Sequence, residues 1–199
     1  SKVKVTANVS LVRSVFSIKN NVLLIVCFIY FVYMLSFSGF ETTFSIFTHY
    51  VFDLSIRNNS LLFMYAGIIG LIIQLFLTKK ASANFVRFIM LGFCCLCVGF
   101  FGMAQVTSLS MLIMFLAIFA IGISFVNTFM PALLSSYTTD QNRGLVMGVY
   151  ESTGSVSRII GPLIAYSIAV SYIQLEYMIY GFLIFLLIPI IYYFCVYRR

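Results

Sequence analysis

Glu151 and Arg158 stand seven residues apart inside a long apolar stretch, with Ser155 roughly between them. Seven residues are close to two turns of helix, so all three side chains fall on one helical face. Counted from residue 145 at about 1.5 Å per residue, Glu151 lies about 9 Å into the stretch and Arg158 about 20 Å. A charge in hydrocarbon costs at least about 2.5–3.5 kcal/mol, so such groups face a cavity and take a partner. The pair therefore predicts either a polar wall that meets a solute or a structural tie to a neighbouring helix.

Glu41 follows the same logic at a different depth. It lies about 30 Å beyond Asn20 by helical rise, at the far edge of the hydrocarbon, where a glutamate either snorkels or works. Asn127 and Gln74 are amides in apolar surroundings, suited to bonds between helices or to a solute. His49, the only histidine, is expected at the outer interface. Asp53 and Glu176 are expected in outer turns and Asp140 in an inner loop beside Arg143, all as solvated charges. The five cysteines, Cys27, Cys94, Cys95, Cys97 and Cys195, sit in apolar runs without a nearby histidine or carboxylate. They read as small hydrophobes rather than metal ligands or disulfides, and no cofactor is implied.

These residues must be positioned by six apolar runs, about 21–50, 60–77, 85–106, 109–137, 145–172 and 175–197. Each is close to the roughly 20 residues that a helix needs to cross a bilayer. Residues 1–20 form a basic juxtamembrane linker, and residues 21–199 the membrane bundle. The chain begins with Ser1 and a polar, basic segment unlike a signal peptide, and is read as a fragment or processed product. Lys2, Lys4, Arg13 and Lys19 precede the first run; Lys79, Lys80 and Arg87 lie between the second and third; Arg143 precedes the fifth; Arg198 and Arg199 follow the sixth. The alternate gaps offer only Arg57, so both termini are expected in the cytoplasm.

Hydrophobic residues make up 62% of the chain and charged residues 9%, which excludes an ordinary soluble domain. The net charge of +7 collects at helix ends, where it suits anionic headgroups rather than nucleic acid. With no tryptophan, the interfacial belt falls to tyrosines such as Tyr50, Tyr137, Tyr172, Tyr177, Tyr192 and Tyr193. Small residues recur along the runs, among them Gly92, Gly122, Gly154 and Gly161, and Gly144 and Gly148 make a small-xxx-small pair. Such residues let membrane helices approach closely, and Pro131 and Pro162 are placed to bend them.

Phe40-Glu41-Thr42-Thr43-Phe44, Pro131-Ala132-Leu133, and the stretch from Arg143-Gly144-Leu145-Val146-Met147-Gly148 through Gly154-Ser155-Val156-Ser157-Arg158-Ile159-Ile160-Gly161-Pro162 resemble major facilitator superfamily transporters. The likeness spans about residues 20–198 and fits the carboxy-terminal six-helix half, nearest to tetracycline-efflux-like drug–proton antiporters and related lysosomal-type members. It implies an all-α membrane protein built as two inverted three-helix repeats, and a missing amino-terminal half as partner. It further implies alternating-access transport of a small organic solute, with protons as coupling ion. Arg158, Glu151, Ser155, Asn127 and Glu41 would serve solute or proton. Arg158 would attract an anionic group or tune a carboxylate, and Glu41 would carry the proton or close the outer gate. Pro131, Arg143, Gly144, Gly148, Gly154, Gly161 and Pro162 would serve packing and gating. The basic stretch Lys79-Lys80-Ala81-Ser82-Ala83-Asn84-Phe85-Val86-Arg87 lacks the glycine usual in the corresponding family loop.

A channel or a non-transporting membrane subunit is the alternative class. An intramembrane protease is disfavoured: Gly122-Ile123-Ser124 offers a serine, yet His49 precedes it and lies too shallow. A His-Glu-x-x-His metal motif does not occur.

Overall fold

The computed structural model describes residues 20–79 and 85–196, all of it helix and short connections. In chain order the helices are α1 (Asn20–Phe52), α2 (Ile56–Lys79), α3 (Phe85–Ala104), α4 (Leu109–Ser136) and α5 (Arg143–Val196). Most of the expected basic linker, the loop at 80–84 and Arg198 and Arg199 lie outside the described residues. Leu23–Phe52, Ile56–Leu77, Phe85–Ala104, Leu109–Ser136 and Gln174–Tyr193 are each long and apolar enough to cross a membrane.

Local chemistry sets the ends. At the close of α1, Asp53 adopts a left-handed φ of 50° and its N–H bonds to the His49 carbonyl at 2.9 Å, which turns the chain away from the helix axis. Across that turn Asn59 is buried against the Thr48 hydroxyl, tying the start of α2 to α1. Ser108 caps α4 by accepting the Met111 N–H on its hydroxyl oxygen at 3.3 Å. Helix α4 runs on through Pro131, and α5 runs on through Pro162 and Pro189.

The fifth and sixth runs, expected as helices over 145–172 and 175–197, form one continuous helical element. That element doubles back. The Ala165 side chain and the Tyr180 hydroxyl both press on Gly39, although fifteen residues of straight helix would hold them about 22 Å apart. Before the reversal the contacts rise along α1 in parallel, with Gly154 against Tyr30 and Gly161 against the Leu35 carbonyl. After it they descend: Glu176 meets Thr43, and Tyr180 meets Gly39 and Phe40's neighbour Phe100. The second limb carries the span Gln174–Tyr193, and the first limb adds a sixth helical segment to the bundle.

Contacts between the limbs reveal the symmetry. Helix α1 packs on the first limb of α5, and α4 packs in the same way on α2, where the Ser124 hydroxyl oxygen comes within 3.1 Å of the Gly70 carbonyl oxygen. Helix α1 also packs antiparallel to the second limb, as α4 does to α3. Exchanging the units α1–α2–α3 and α4–α5 maps each contact onto another. The fold is thus an all-α membrane bundle of two inverted three-helix repeats.

Lipid supplies no hydrophobic drive between helices, so close packing must hold the bundle together. One close backbone contact joins α3 and α4, where a methyl on Gly122 would lie 2.9 Å from the Gly92 carbonyl oxygen and the Leu96 nitrogen. An aromatic seam completes the centre: Phe119 of α4 meets Phe40 of α1 at a tilt, with ring centroids 4.5 Å apart, and Phe100 of α3 edge to face at 4.9 Å. Gly144 and Gly148 do not join this packing, contrary to their spacing. Nothing lies within 4 Å of a methyl added at either, because their face of α5 turns outward from the bundle.

Candidate functional site

Helices α1, α2 and α4 enclose an open groove of about 640 Å³, within the size usual for small-molecule sites. Its walls are mainly apolar, with Phe37, Phe40, Phe63 and Phe119 prominent. Four polar side chains line it, with at least one from each helix: Glu41 of α1, Gln74 of α2, and Ser124 and Asn127 of α4. Small residues on α2 make the room. A methyl on Gly67 would meet nothing within 4 Å, and one on Gly70 only the Ser124 hydroxyl at 3.3 Å.

The amide of Asn127 has a defined orientation. Its Oδ1 accepts the Tyr33 hydroxyl proton at 3.0 Å, which leaves its N–H groups as donors on the groove side. Tyr33 itself is 1% exposed, wedged between Phe93 and Phe37. A tyrosine inside an apolar run reads as core, so sequence gave no sign of this positioning role.

Glu151, Ser155 and Arg158 form a second group on the outward face of the first α5 limb, all three exposed in this chain. None of them lines the groove. The Ser155 hydroxyl is spent on its own helix, donating to the Glu151 carbonyl at 2.9 Å. Among the described residues Glu151 and Arg158 make no ion pair; those present are Arg143–Asp140 at 3.2 Å and His49–Asp53 at 4.0 Å, both exposed. The Arg158 backbone is held by the Ser38 hydroxyl at 3.4 Å, and Gly154 admits the Tyr30 ring beneath it. Tyr30 stacks on Tyr150 at 3.8 Å. Tyr30 in turn meets Tyr33, which holds Asn127, with ring centroids 6.3 Å apart.

Thus the structure joins Glu41, Asn127 and Gln74 in one groove and sets Glu151, Ser155 and Arg158 on a neighbouring face, with Tyr33 between. Gly161 lies 2.8 Å, by its added methyl, from the Leu35 carbonyl oxygen, while Pro131 and Pro162 are half-buried within their helices. Arg143 is exposed at the start of α5. The described cysteines are free, and no cluster of metal-ligating side chains occurs among the described residues.

Glu176 is a correction. Expected as a solvated charge in an outer turn, it is fully buried, because the helix continues through that turn and carries the residue into the contact with α1. Asp53, its supposed counterpart, is exposed as expected.

A family model described as the Major Facilitator Superfamily matches residues 85–199. The mouse protein named "Major facilitator superfamily domain-containing protein 10" is 28% identical over 145 residues, which cover 70% of this chain and 31% of that protein. Its human namesake is 27% identical over 141 residues, with the same coverage of 70% and 31%. The crystal structure of the human organic anion transporter MFSD10 (TETRAN) matches with a TM-score of 0.79 and 24% identity, over 86% of this chain and 41% of that one. At that identity the likeness speaks for the fold. The matched part spans 31% of the length of these curated relatives.

Proposed function

Because the chain belongs to the Major Facilitator Superfamily, we propose that it builds one wall of the solute path in a secondary transporter. The observation that carries this is the groove between α1, α2 and α4, mainly apolar in lining yet presenting polar side chains from all three helices. An apolar slot with a few fixed polar groups suits an amphipathic organic solute. The solute class we assign is organic anions, the class named for the human relative of known structure. Two features support that choice: the amide donors of Asn127 and the exposed guanidinium of Arg158 on the adjoining face, which makes no ion pair among the described residues.

An amino-terminal six-helix half supplies the opposite wall, and the two rock about the groove in alternating access. In this arrangement Arg158 and Glu151 face the partner half, as do Gly144 and Gly148, whose open face gives another helix room to approach. Coupling to protons, as in tetracycline-efflux-like antiporters, is part of the proposal, with Glu41 at the groove as proton carrier or outer gate. Both termini are placed in the cytoplasm by the distribution of lysine and arginine.

The test is solute uptake by the full-length protein in proteoliposomes, with and without an imposed proton gradient. Saturable uptake that accumulates against the solute gradient and collapses with a protonophore is expected. Passive, non-accumulating flux would instead identify a channel. Unchanged transport in both Arg158→Ala and Glu151→Gln would remove those residues from the mechanism.

A further inference from the structure

Glu176 lies outside the groove, and nothing in the transport scheme above uses it. It is fully buried where the second limb of α5 packs on α1. Its Oε1 stands 2.9 Å from the Thr43 hydroxyl, and that same hydroxyl stands 3.1 Å from the Gly39 carbonyl oxygen. A hydroxyl has one proton to give, so it cannot donate to both. Helical serines and threonines in this chain regularly donate to the carbonyl four residues back: Ser36 to Val32, Thr42 to Ser38, Thr153 to Val149. If Thr43 does the same, the proton in its contact with Glu176 must come from the carboxyl.

The surroundings agree. Thr43 of α1 meets the Glu176 carboxyl; beside that contact Ala165 of the first α5 limb and Tyr180 press on Gly39, Phe47 packs on Tyr177, and Phe100 and the Cys97 thiol of α3 lie against Tyr180 and Gly181. The titratable groups here are Tyr177, Tyr180 and Cys97, all neutral in their ordinary state near pH 7. Among the described residues no lysine, arginine or histidine pairs with Glu176. By strict geometry its Oε2 and the hydroxyls of Tyr177 and Tyr180 make no hydrogen bond among the described residues, although the Tyr180 hydroxyl lies close enough to the carboxyl, and that of Tyr177 to Thr43, to interact. An ionised carboxylate left so poorly solvated is far more costly than the neutral acid.

We propose that Glu176 is a proton-binding site, a carboxylic acid held neutral between α1 and the second limb of α5, its O–H donating to the Thr43 hydroxyl while Thr43 donates to the Gly39 carbonyl. On deprotonation the carboxyl O–H bond breaks, its proton passes to water, and the Thr43 hydroxyl turns from Gly39 to the carboxylate. Only the link from this site to solute movement rests on the transport proposal; the bound proton does not.

Infrared spectroscopy of the full-length protein in lipid near pH 7 tests it. A protonated-carboxyl C=O band should be present in the wild type and absent from Glu176→Gln. Thr43→Val, which removes the hydroxyl acceptor, should shift that band without abolishing it. Identical wild-type and Glu176→Gln spectra in that region would overturn the site. If Glu176→Gln does not fold, Thr43→Val decides alone, and an unshifted carboxyl region overturns it. A band that behaves as expected in a protein without proton-driven uptake would count against the coupling and leave the site standing.

Discussion

At Asn127 the chemistry turns on which end of the amide is engaged. Tyr33 occupies the oxygen, so the donors face the groove. One such hydrogen bond is worth about 1 kcal/mol net, so Tyr33→Phe is expected to weaken apparent solute affinity by roughly 5-fold, measured as KM for uptake. Asn127→Ala removes the donors and strands a buried tyrosine hydroxyl, so a loss of roughly 10-fold or more is expected. Because the two residues act as one unit, the double variant should resemble Asn127→Ala rather than sum the two losses. Additive losses in that cycle would show that Tyr33 does not act through Asn127. Arg158 is argued from charge, so Arg158→Lys should retain more transport than Arg158→Ala.

Helices were far more legible in this sequence than the faces they present. Hydropathy alone marked six apolar runs, and among the described residues five helices prove long and apolar enough to cross lipid. It could not say that the fifth and sixth spans share one continuous helix, because the run boundary near residue 172 lacks a proline or glycine to mark a break or a continuation. Glu176 was misplaced for that reason. Glycines show the same limit: Gly122 and Gly144 look alike in sequence, yet one is locked against the α3 backbone and the other faces open space. Gly122→Ala should therefore destabilise the bundle by about 1–3 kcal/mol, the usual cost of overpacking, since backbone atoms cannot yield as a flexible side chain can. Gly144→Ala should leave the thermal midpoint of this six-helix unit nearly unchanged. Equal shifts for the two in a detergent melt would contradict the packing described here.

On the scale of the whole molecule, two inverted three-helix units create a groove on one side of the bundle, and the charges that sequence marked as costly lie on that side's neighbouring face. Their exposure in this chain accords with a partner half that covers them. Cysteines placed near the two ends should accordingly react with impermeant reagents from the same side of the membrane. The most direct measurement of the central claim is solute protection at Gly67, where a side chain would enter open space in the groove. In a full-length background without native cysteines, Gly67→Cys should react with a water-soluble thiol reagent and be shielded by a transported organic anion. Phe76→Cys, 67% exposed on the opposite face of α2, should stay unreactive in lipid. Equal labelling at both positions, or labelling at Gly67→Cys that no transported solute slows, would contradict the groove as the path of the solute.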